Sequence, residues 1–469
     1  MTTAVVLGGG LAGLFAATVL ADHADEVVVV ESDVLPTTPA PRNGLPQGRH
    51  NHILMRGGAE AFDELLPGTT ELLMAAGAKR RGLPGGTLTR GPRDWFQRHR
   101  TDAYLLLCGR DTLDHVVRGQ VLGAARLTLR QGVKAVALTG DAQRVTGVRI
   151  KPLESGQDTR EETIAADLVV DATGRRSDGP RWLAELGVAA PREDFVDAGF
   201  AYASRWYQAP EGTEDFPGVM IQVQPGTGEP GRGIAILPND NGRWIVTRFG
   251  SRGGEPPTDE KEFVSDCGDW EDPLVSRLLS RAKPLSDIRS YRRMPNWRRH
   301  YEKLPLPEGY FVIGDAASAL NPTYGTGMSV AARSALVLRA ELRRTGLGPG
   351  LGRRVQRGVA KANAFAWQNA VSNDLFFPGV TSSVPVRGAA FQTWMAARVA
   401  HVAARDRTVS DIAFTVGTFC APPSRMFSRA FMWPVIRGPR RPPLTAQQAI
   451  EQFPEFGDLL APEPVTDPR

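Results

Sequence analysis

The chain has 469 residues, of which 42% are hydrophobic and 23% are charged, and its formal net charge is +5 at pH 7. This length and composition predict two or three globular domains and exclude a wholly disordered chain. The three cysteines are widely scattered, which excludes a disulfide framework and leads us to expect a reducing, cytoplasmic location. No run of 18 or more apolar residues is present, so we expect no membrane span.

The first thirty residues have the pattern of a βαβ unit. Thr3–Leu7 predicts a strand, Leu11–Ala21 predicts a helix rich in alanine and leucine, and Val27–Val30 predicts a second strand that ends at Glu31. Four valines in a row, without polar alternation, are typical of a strand that is buried on both faces of a parallel sheet.

The region of roughly 185–285 has a different pattern. Apolar and polar residues alternate over Phe200–Tyr207, and the runs Ile234–Leu237 and Trp244–Phe249 flank a loop that contains Asn241-Gly242. An Asn-Gly pair between two such runs predicts a tight β-hairpin. We therefore expect an antiparallel sheet with one face exposed to solvent.

Signals of a parallel sheet then return. Asp167–Val170 and Tyr310–Ile313 predict buried strands, and Met328–Leu342 predicts a helix. The fold class we predict is α/β, with a discontinuous Rossmann-like nucleotide-binding domain, an inserted antiparallel-sheet domain and a helical C-terminal extension that includes Ala389–Ala404. The first domain is expected at residues 1–80, 105–180 and 288–345, the inserted domain at 81–104 and 181–287, and the helical region at 346–469.

The motif Gly8-x-Gly10-x-x-Gly13 follows the first strand and opens the first helix. Its first glycine permits the tight turn, its second lets the backbone approach a pyrophosphate, and its third lets the helix pack on the strand. The N–H groups of Leu11, Ala12 and Gly13 are expected to meet the phosphates. Glu31, at the end of the second strand, is expected to accept hydrogen bonds from an unphosphorylated ribose. The pattern therefore predicts FAD or NAD at this site, and not NADP.

Two later segments, Tyr310–Ala317 and Asn321–Ser329, indicate which dinucleotide is bound. Together with the glycine motif, they resemble FAD-dependent monooxygenases of the aromatic-hydroxylase type. The resemblance implies that Asp315 binds the ribityl chain of FAD and that the N–H groups of Gly327 and Met328 face the pyrimidine ring of the flavin. A positive helix end at that position stabilises the negative charge of reduced flavin.

Three further positions follow the same family more loosely. The resemblance implies that Arg42 contacts the phosphates or covers the adenine side, that Arg110 lies near FAD at a helix start, and that the backbone of Val136 faces adenine. For each arginine, a surface salt bridge is an alternative explanation.

The segments 44–68 and 314–329 look most like bacterial flavin epoxidases that act on polyene chains in polyether antibiotic biosynthesis. Two departures from the related families bear on mechanism. Thr326 stands where those epoxidases carry histidine, and Asp171-Ala172-Thr173-Gly174 replaces an Asp-Gly motif that contacts both FAD and NADPH in aromatic hydroxylases. The electron source, either NADPH or a flavin reductase partner, therefore stays open.

These observations predict an FAD-dependent monooxygenase that acts on a small hydrophobic substrate in secondary metabolism. The alternative is a cyclase of the [4+2] type, in which FAD is structural and the pocket only holds the reacting ends together. Candidate substrate-wall residues are Tyr202, Trp206 and Trp244, although a strand aromatic also suits a plain core. No catalytic residue is assigned. His50 and His52 lack further ligands at metal spacing, so no metal is expected, and a hydrogen-bonding or packing role is preferred.

Two other classes are disfavoured. No lysine-centred motif of the flavin-dependent halogenases is found. The basic segment 289–300 is expected to be a solvated or anion-facing loop, or to meet the phosphates of a dissociable nucleotide, and not to bind nucleic acid.

Overall fold

The computed structural model of the protein describes residues 1–92, 94–123, 126–153, 160–221, 228–265, 273–292, 294–385, 388–454 and 457. Within these residues the α-helices are α1 Leu11–Ala21, α2 Arg56–Leu65, α3 Thr69–Ala75, α4 Arg110–Leu122, α5 Gly179–Glu185, α6 Glu260–Val264, α7 Leu274–Ser280, α8 Gly327–Thr345, α9 Leu351–Ala362, α10 Ala364–Asp374, α11 Ala389–Ala403, α12 Arg407–Gly417, α13 Arg429–Arg437 and α14 Ala446–Glu451.

The strands of the same residues form five sheets. In chain order they are β1 Thr3–Leu7, β2 Glu26–Glu31, β3 Ile53–Met55, β4 Lys79–Gly82, β5 Thr87–Arg90, β6 Tyr104–Leu107, β7 Leu127–Gln131, β8 Val133–Gly140, β9 Val145–Pro152, β10 Glu162–Ala165, β11 Leu168–Asp171, β12 Glu193–Asp197, β13 Ala201–Gln208, β14 Gly218–Ile221, β15 Arg232–Pro238, β16 Arg243–Gly250, β17 Lys283–Pro284, β18 Arg289–Arg292, β19 Asn296–Arg299, β20 Tyr310–Val312, β21 Ser318–Ala319 and β22 Thr381–Ser382.

The central sheet is parallel and has the order β20-β11-β1-β2-β7. Val27 and Val29 point into the core that contains α1 and α8, whereas Val28 and Val30 point into the core shared with the sheet β10-β9-β8. The valine run of β2 is thus covered on both faces, as predicted. Since parallel strands end at one edge, Glu31 and Asp171 lie at the same edge of this sheet.

The predicted first helix is confirmed at its predicted limits, and the predicted C-terminal helix ends one residue early, at Ala403. The predicted hairpin is also confirmed. Strands β15 and β16 pair from Pro238↔Trp244 onward, and Asn241 and Gly242 both have positive φ, +55° and +60°. This is the conformation in which an Asn-Gly pair is favoured.

The expectation of a solvent-exposed face on the large sheet is wrong. The sheet, β17-β13-β16-β15-β14-β5, is covered on one face by α6, α7 and α14, so that Trp244 packs with Phe263 and Phe453. Its other face packs on the small sheet β3-β6-β4, where Ile245 lies with Leu105 and other residues of β6. The covering elements come from distant parts of the chain, and the alternation within one strand does not reveal them.

The C-terminal helices are distributed over the molecule. Helix α9 packs on α8 through Leu351 and Val355. Helices α11, α12 and α13 build a small core of their own around Val402 and Phe431, and α14 inserts into the core of the large sheet. Among the described residues, no helix combines the length and apolar character that crossing a membrane requires.

Candidate functional site

The glycine turn between β1 and α1 is built by close backbone contacts. A Cβ atom on Gly13 would lie 1.8 Å from the carbonyl oxygen of Gly8, and one on Gly8 would lie 2.5 Å from the carbonyl oxygen of Ala172. Gly8 also has a φ of +102°. At Gly10 the nearest neighbour is a nitrogen of Arg42, at 3.8 Å. The turn therefore closes tightly on the protein side and leaves space at Gly10, as a dinucleotide-binding turn requires.

Glu31 lies buried at the end of β2, beside this turn. Its Oε2 accepts a hydrogen bond of 2.6 Å from the backbone N–H of Gly9, and its Oε1 accepts one of 2.8 Å from the N–H of Asp33. The guanidinium of Arg42 lies 3.3 Å from Oε2. The carboxylate is thus held in one orientation at the carboxyl edge of the sheet.

Arg42 and Arg110 both form ion pairs with the carboxylate of Asp114. Nε of Arg110 donates to Oδ1 of Asp114 at 2.7 Å, and Nε of Arg42 lies 3.5 Å from Oδ2 of the same carboxylate. The side chains of both arginines are at least 91% buried. The structure therefore brings both predicted arginines to the glycine turn, where their ion pairs are buried and not on the surface.

Asp315 lies in a short 3₁₀ turn, Gly314–Ala316, directly after β20. A Cβ on Gly314 would lie 2.7 Å from Cβ of Ala12, which places this turn against the start of α1. Burial raises the pKa of the Asp315 carboxyl, and the positive charges of Arg175 and Arg110 oppose that rise. Asp315 and the glycine turn thus belong to one site.

Val136 lies at a bulge of β8, between Ala135 and Ala137 in the pairing with β9. Its carbonyl oxygen accepts a hydrogen bond of 3.3 Å from the guanidinium of Arg181. Strand β8 contacts β2, so Val136 belongs to the layer that covers one face of the parallel sheet.

The start of α8 is open. Thr326 precedes the helix but its side chain makes no capping hydrogen bond, and a Cβ on Gly327 would meet no atom within 4 Å. The hydroxyl oxygens of Thr326 and Ser329 are buried without a hydrogen-bond partner. The first N–H groups of α8, which include those of Gly327 and Met328, thus have room for a bound group in front of them.

The loop before α8 is held by a buried carboxylate that the sequence analysis did not identify. Asp374, at the end of α10, accepts hydrogen bonds from Nδ2 of Asn296 at 2.6 Å, Nδ2 of Asn321 at 3.1 Å and the hydroxyl of Tyr324 at 2.5 Å. Burial raises the pKa of Asp374 to about 6, although these three hydrogen bonds act in the opposite direction. The sequence does carry a signal, since Asp374 continues the buried stripe of Trp367, Ala370 and Val371 on α10.

Tyr202 connects the large sheet to the same loop. Its hydroxyl donates to Oδ1 of Asn321 at 2.6 Å and lies 2.6 Å from Oγ1 of Thr323. Burial raises the pKa of Tyr202, so the hydroxyl keeps its proton at neutral pH. The predicted residue Tyr202 thus lies at the junction of the sheet and the loop that precedes α8.

Of the other two predicted wall residues, Trp206 shares the face of Tyr202 but lies under the guanidinium of Arg243, 4.6 Å from its ring centre. Trp244 lies on the opposite face and packs against Phe216, with ring centres 4.4 Å apart. The structure therefore does not bring Trp244 to the sheet face that carries Tyr202.

A groove with a volume of about 320 Å³ opens beside the glycine turn and the large sheet. Nδ1 of His50 lies 2.8 Å from the hydroxyl of Ser204, and burial lowers the pKa of His50 to about 4. Burial likewise lowers the pKa of His52 to about 3, so both rings are neutral at pH 7. Among the described residues, no group of three potential metal ligands is found. The groove is lined by Arg42, Asn43, Pro46, Arg49, His50, Arg289, Ser290 and Tyr291.

The segment after β11 is held by hydrogen bonds among its own residues. Asp171 is fully buried, and its carboxylate accepts hydrogen bonds from the backbone and hydroxyl of Thr173 and from the hydroxyl of Ser177, at 2.5 to 3.0 Å. The hydroxyl of Tyr310 adds a longer contact of 3.3 Å. This carboxylate is therefore committed to the protein and does not reach a ligand.

The residues at this edge fit the FAD that the sequence predicts. The open space at Gly10 and Gly327 suits a pyrophosphate and a flavin ring, and the buried hydroxyl of Thr326, directly before Gly327, lacks a partner that a bound group can supply. The carboxylate of Asp315 lies in the turn after β20, which packs against the start of α1.

Comparison with known sequences supports this cofactor. The family model of an FAD binding domain matches residues 1–372. The chain is 34% identical to protein Rv3254 of Mycobacterium tuberculosis (strain ATCC 25618 / H37Rv) over 395 residues, which cover 81% of each chain. It is 26% identical to kynurenine 3-monooxygenase of Salinispora arenicola (strain CNS-205) over 362 residues, which cover 71% of each.

Solved structures with the same fold belong to proteins that are named for different reactions. They include the flavin-dependent brominase Bmp2 (TM-score 0.63, 14% identity, covering 97% of this chain and 99% of that one). p-Nitrophenol 4-monooxygenase PnpA of Pseudomonas putida DLL-E4 has a TM-score of 0.61 at 18% identity, covering 90% and 100%. The Diels-Alderase PyrE3 has a TM-score of 0.58 at 16% identity, covering 89% and 80%. At 14–18% identity, these structural similarities show only the fold. The family model, in contrast, matches most of the sequence and shows the family. The chain belongs to the FAD-binding domain family, and it is a flavin-dependent enzyme with FAD as its cofactor.

Proposed function

We propose that the protein is a monooxygenase, an epoxidase or hydroxylase, that transfers one oxygen atom to a hydrophobic polyketide-like or aromatic intermediate of secondary metabolism. The observation that carries this proposal is the open start of α8 next to Tyr202, at the junction of the large sheet and the FAD-binding edge. When bound, reduced FAD supplies the activation of O₂. The chain supplies binding, orientation and a positive helix end.

In this proposal the glycine turn and its neighbours hold the dinucleotide. Glu31 accepts from the adenine ribose, and Asp315 accepts from the ribityl hydroxyls. The start of α8 donates to the pyrimidine edge of the flavin. The residues proposed to contact FAD are Gly8, Gly10, Leu11, Ala12, Gly13, Glu31, Arg42, Arg110, Val136, Asp315, Gly327 and Met328.

The proposed substrate lies between the sheet face of Tyr202 and the flavin. Trp206 belongs to the same sheet face, whereas Trp244 is removed from the proposed wall because it packs in the core behind the sheet. Tyr202 is a hydrogen-bonding member of the wall, since its hydroxyl holds the loop before α8.

The electrons are proposed to come either from NADPH or from a flavin reductase. The buried Asp171 is unable to contact NADPH, because its carboxylate is already bonded within the segment 171–177. In the groove, Arg49 and Arg289 offer positive charge to a phosphorylated donor, whereas Arg42 is already paired with Glu31 and Asp114. Bleaching of the flavin colour by NADPH alone, as opposed to NADPH plus a reductase, distinguishes the two.

A cyclase is the second candidate, because the Asp171 carboxylate is bonded within its own segment, which removes a contact to NADPH that only a redox enzyme needs. The two functions differ in what turnover consumes. A monooxygenase needs a reductant and O₂ and adds one oxygen atom to the product, whereas a cyclase converts its substrate to an isomer with the flavin left oxidised.

The decisive experiment supplies polyene and aromatic polyketide substrates to the FAD-loaded protein. We expect turnover only with reductant and air, and with ¹⁸O₂ we expect one labelled oxygen atom in the product. Tyr202→Phe should lower turnover, whereas Trp244→Phe, which changes an aromatic on the opposite face, should leave it near wild type. Anaerobic formation of an isomer with oxidised flavin would overturn the monooxygenase and establish the cyclase.

A further inference from the structure

The C-terminal helices carry an unusual set of exposed side chains. Among the described residues, twelve large hydrophobic side chains are exposed, and five of them lie between residues 391 and 436. These five are 53 to 81% exposed, and four of them are aromatic. Single exposed apolar side chains are common on protein surfaces, whereas a group of them in one region marks an interaction site. The five residues are Phe391, Trp394, Phe427, Trp433 and Ile436.

The exposed residues of α11 and α13 lie on adjoining helix faces. The buried sides of the two helices pack together through Val402, Phe431 and Val435. The guanidinium of Arg398 donates to the carbonyl oxygens of Val435 at 2.8 Å and Ile436 at 3.0 Å, and so joins the end of α13 to the middle of α11. One turn before Arg398, Trp394 has its ring centre 6.0 Å from that of Phe391.

The charge of the same region is strongly positive. Residues 375–450 contain nine arginines, no lysine and only two acidic residues, Asp406 and Asp411. The region therefore carries +7, and because the whole chain carries +5, the remainder is −2. Five exposed arginines lie close in the chain to Phe427, Trp433 and Ile436, and we call them the bordering arginines: Arg425, Arg429, Arg437, Arg440 and Arg441.

We propose that this C-terminal surface, defined by the five exposed apolar residues and the five bordering arginines, docks the enzyme on an anionic lipid membrane. Tryptophan and phenylalanine insert at the boundary between headgroups and acyl chains, and arginines around them meet the lipid phosphates. A second copy of the chain is a poor occupant, because it would place two surfaces of like charge against each other. Docking of this kind needs no membrane-spanning helix.

Two kinds of attraction contribute, and they respond to different changes. The apolar contribution depends on the aromatic side chains and is insensitive to salt, whereas the electrostatic contribution depends on anionic lipid and weakens as salt rises. A partner that is an acidic protein would share the second dependence and lack the requirement for a lipid bilayer.

The test is flotation of the full-length, FAD-loaded enzyme with vesicles of phosphatidylcholine alone or mixed with phosphatidylglycerol. We expect binding to the anionic vesicles that is lost on neutral vesicles and is reduced by high salt. Trp394→Ser/Trp433→Ser and, separately, Arg429→Gln/Arg437→Gln/Arg440→Gln should each weaken binding by about tenfold or more. FAD content and circular dichroism confirm that each variant is folded.

The matched control is Leu72→Ser/Leu285→Ser, which removes two exposed leucines outside the C-terminal surface. This variant should bind vesicles as wild type does. The proposal is overturned if wild type ignores anionic vesicles, or if all variants bind equally. It is also overturned if the protein binds polyglutamate but no vesicles, or if Trp394→Ser/Trp433→Ser only converts a dimer to a monomer. None of these outcomes depends on turnover.

Discussion

Two helices begin at the proposed FAD site, and they are positioned in different ways. The start of α1 is fixed by backbone contacts among Gly8, Gly13 and Ala172, and two of these three residues lie within the motif itself. The start of α8 is fixed by side chains, through the loop that Tyr202 and Asp374 hold. Both direct N–H groups and a positive helix end toward the proposed FAD site. The same electrostatic result is therefore obtained once by local backbone geometry and once by contacts between distant segments.

The largest expected effect separates the two helix starts directly. Gly13→Ala should destabilise the protein by about 3 kcal/mol or more, because the new Cβ would overlap the carbonyl oxygen of Gly8. Gly327→Ala, at the start of α8, meets no atom within 4 Å and should leave the stability of the FAD-free protein unchanged or slightly higher. Chemical unfolding of both FAD-free variants checks this. Equal stability of the two variants would show that the starts of α1 and α8 are not positioned in different ways.

Removal of Asp374 should disturb the start of α8. Asp374→Ala leaves the buried groups of Asn296, Asn321 and Tyr324 without their acceptor, which should cost about 3 kcal/mol of unfolding free energy. FAD affinity should fall as well, while the start of α1 keeps its geometry. Unfolding curves and flavin fluorescence titrations measure the two effects. A variant with normal stability would show that the loop is positioned by other contacts.

Removal of Glu31, the proposed acceptor of the adenine ribose, should act on FAD binding. Glu31→Ala should weaken FAD binding about tenfold or more, because charge-assisted hydrogen bonds contribute about 1.5–3 kcal/mol each. Glu26→Ala, at the other end of the same strand, is the control and should retain FAD. Equilibrium dialysis of the FAD-free proteins gives both dissociation constants. If Glu31→Ala retains FAD as wild type does, the assignment of the glycine motif to FAD is wrong.

The pH dependence of stability tests Asp374 without changing the shape of the loop. The pKa of Asp374 rises from 3.8 to about 6 on folding, so the native state holds a proton that the unfolded state releases. Unfolding free energy should therefore fall as pH rises from about 4 to 6, by up to about 3 kcal/mol. Asp374→Asn should lack this contribution. His50 and His52, whose pKa values are lowered, contribute in the opposite direction in both proteins and cancel in the difference.

The smallest effect is expected at the hydroxyl of Tyr202. Tyr202→Phe removes the hydrogen bonds to Asn321 and Thr323 and should cost about 1 kcal/mol of unfolding free energy. Tyr291→Phe, at the edge of the neighbouring groove, serves as the control and should be close to wild type. An equal loss in both variants would indicate a general effect of removing a tyrosine hydroxyl.

The contrast between local backbone geometry and contacts between distant segments also explains how much of the structure the sequence could predict. The βαβ unit and the limits of α1 follow from local patterns, since alternating or continuous burial is encoded within a few residues of each element. The covered face of the large sheet and the role of Asp374 depend on segments far apart in the chain. An acidic residue on the buried stripe of α10 indicates a buried carboxylate, but it does not indicate which donors surround it.

The insertion of α14 into the core of the large sheet affects how the protein is made. Ala446, Ala449 and Phe453 complete the core that holds Trp244 and Phe263, and the backbone N–H of Arg98 donates to Oε1 of Gln452 at 2.6 Å. During synthesis, the sheet leaves the ribosome well before the helix that covers it. The nascent sheet therefore stays partly uncovered until residue 453 emerges, and a chain interrupted before α14 would be a substrate for chaperones and proteases rather than a smaller working enzyme.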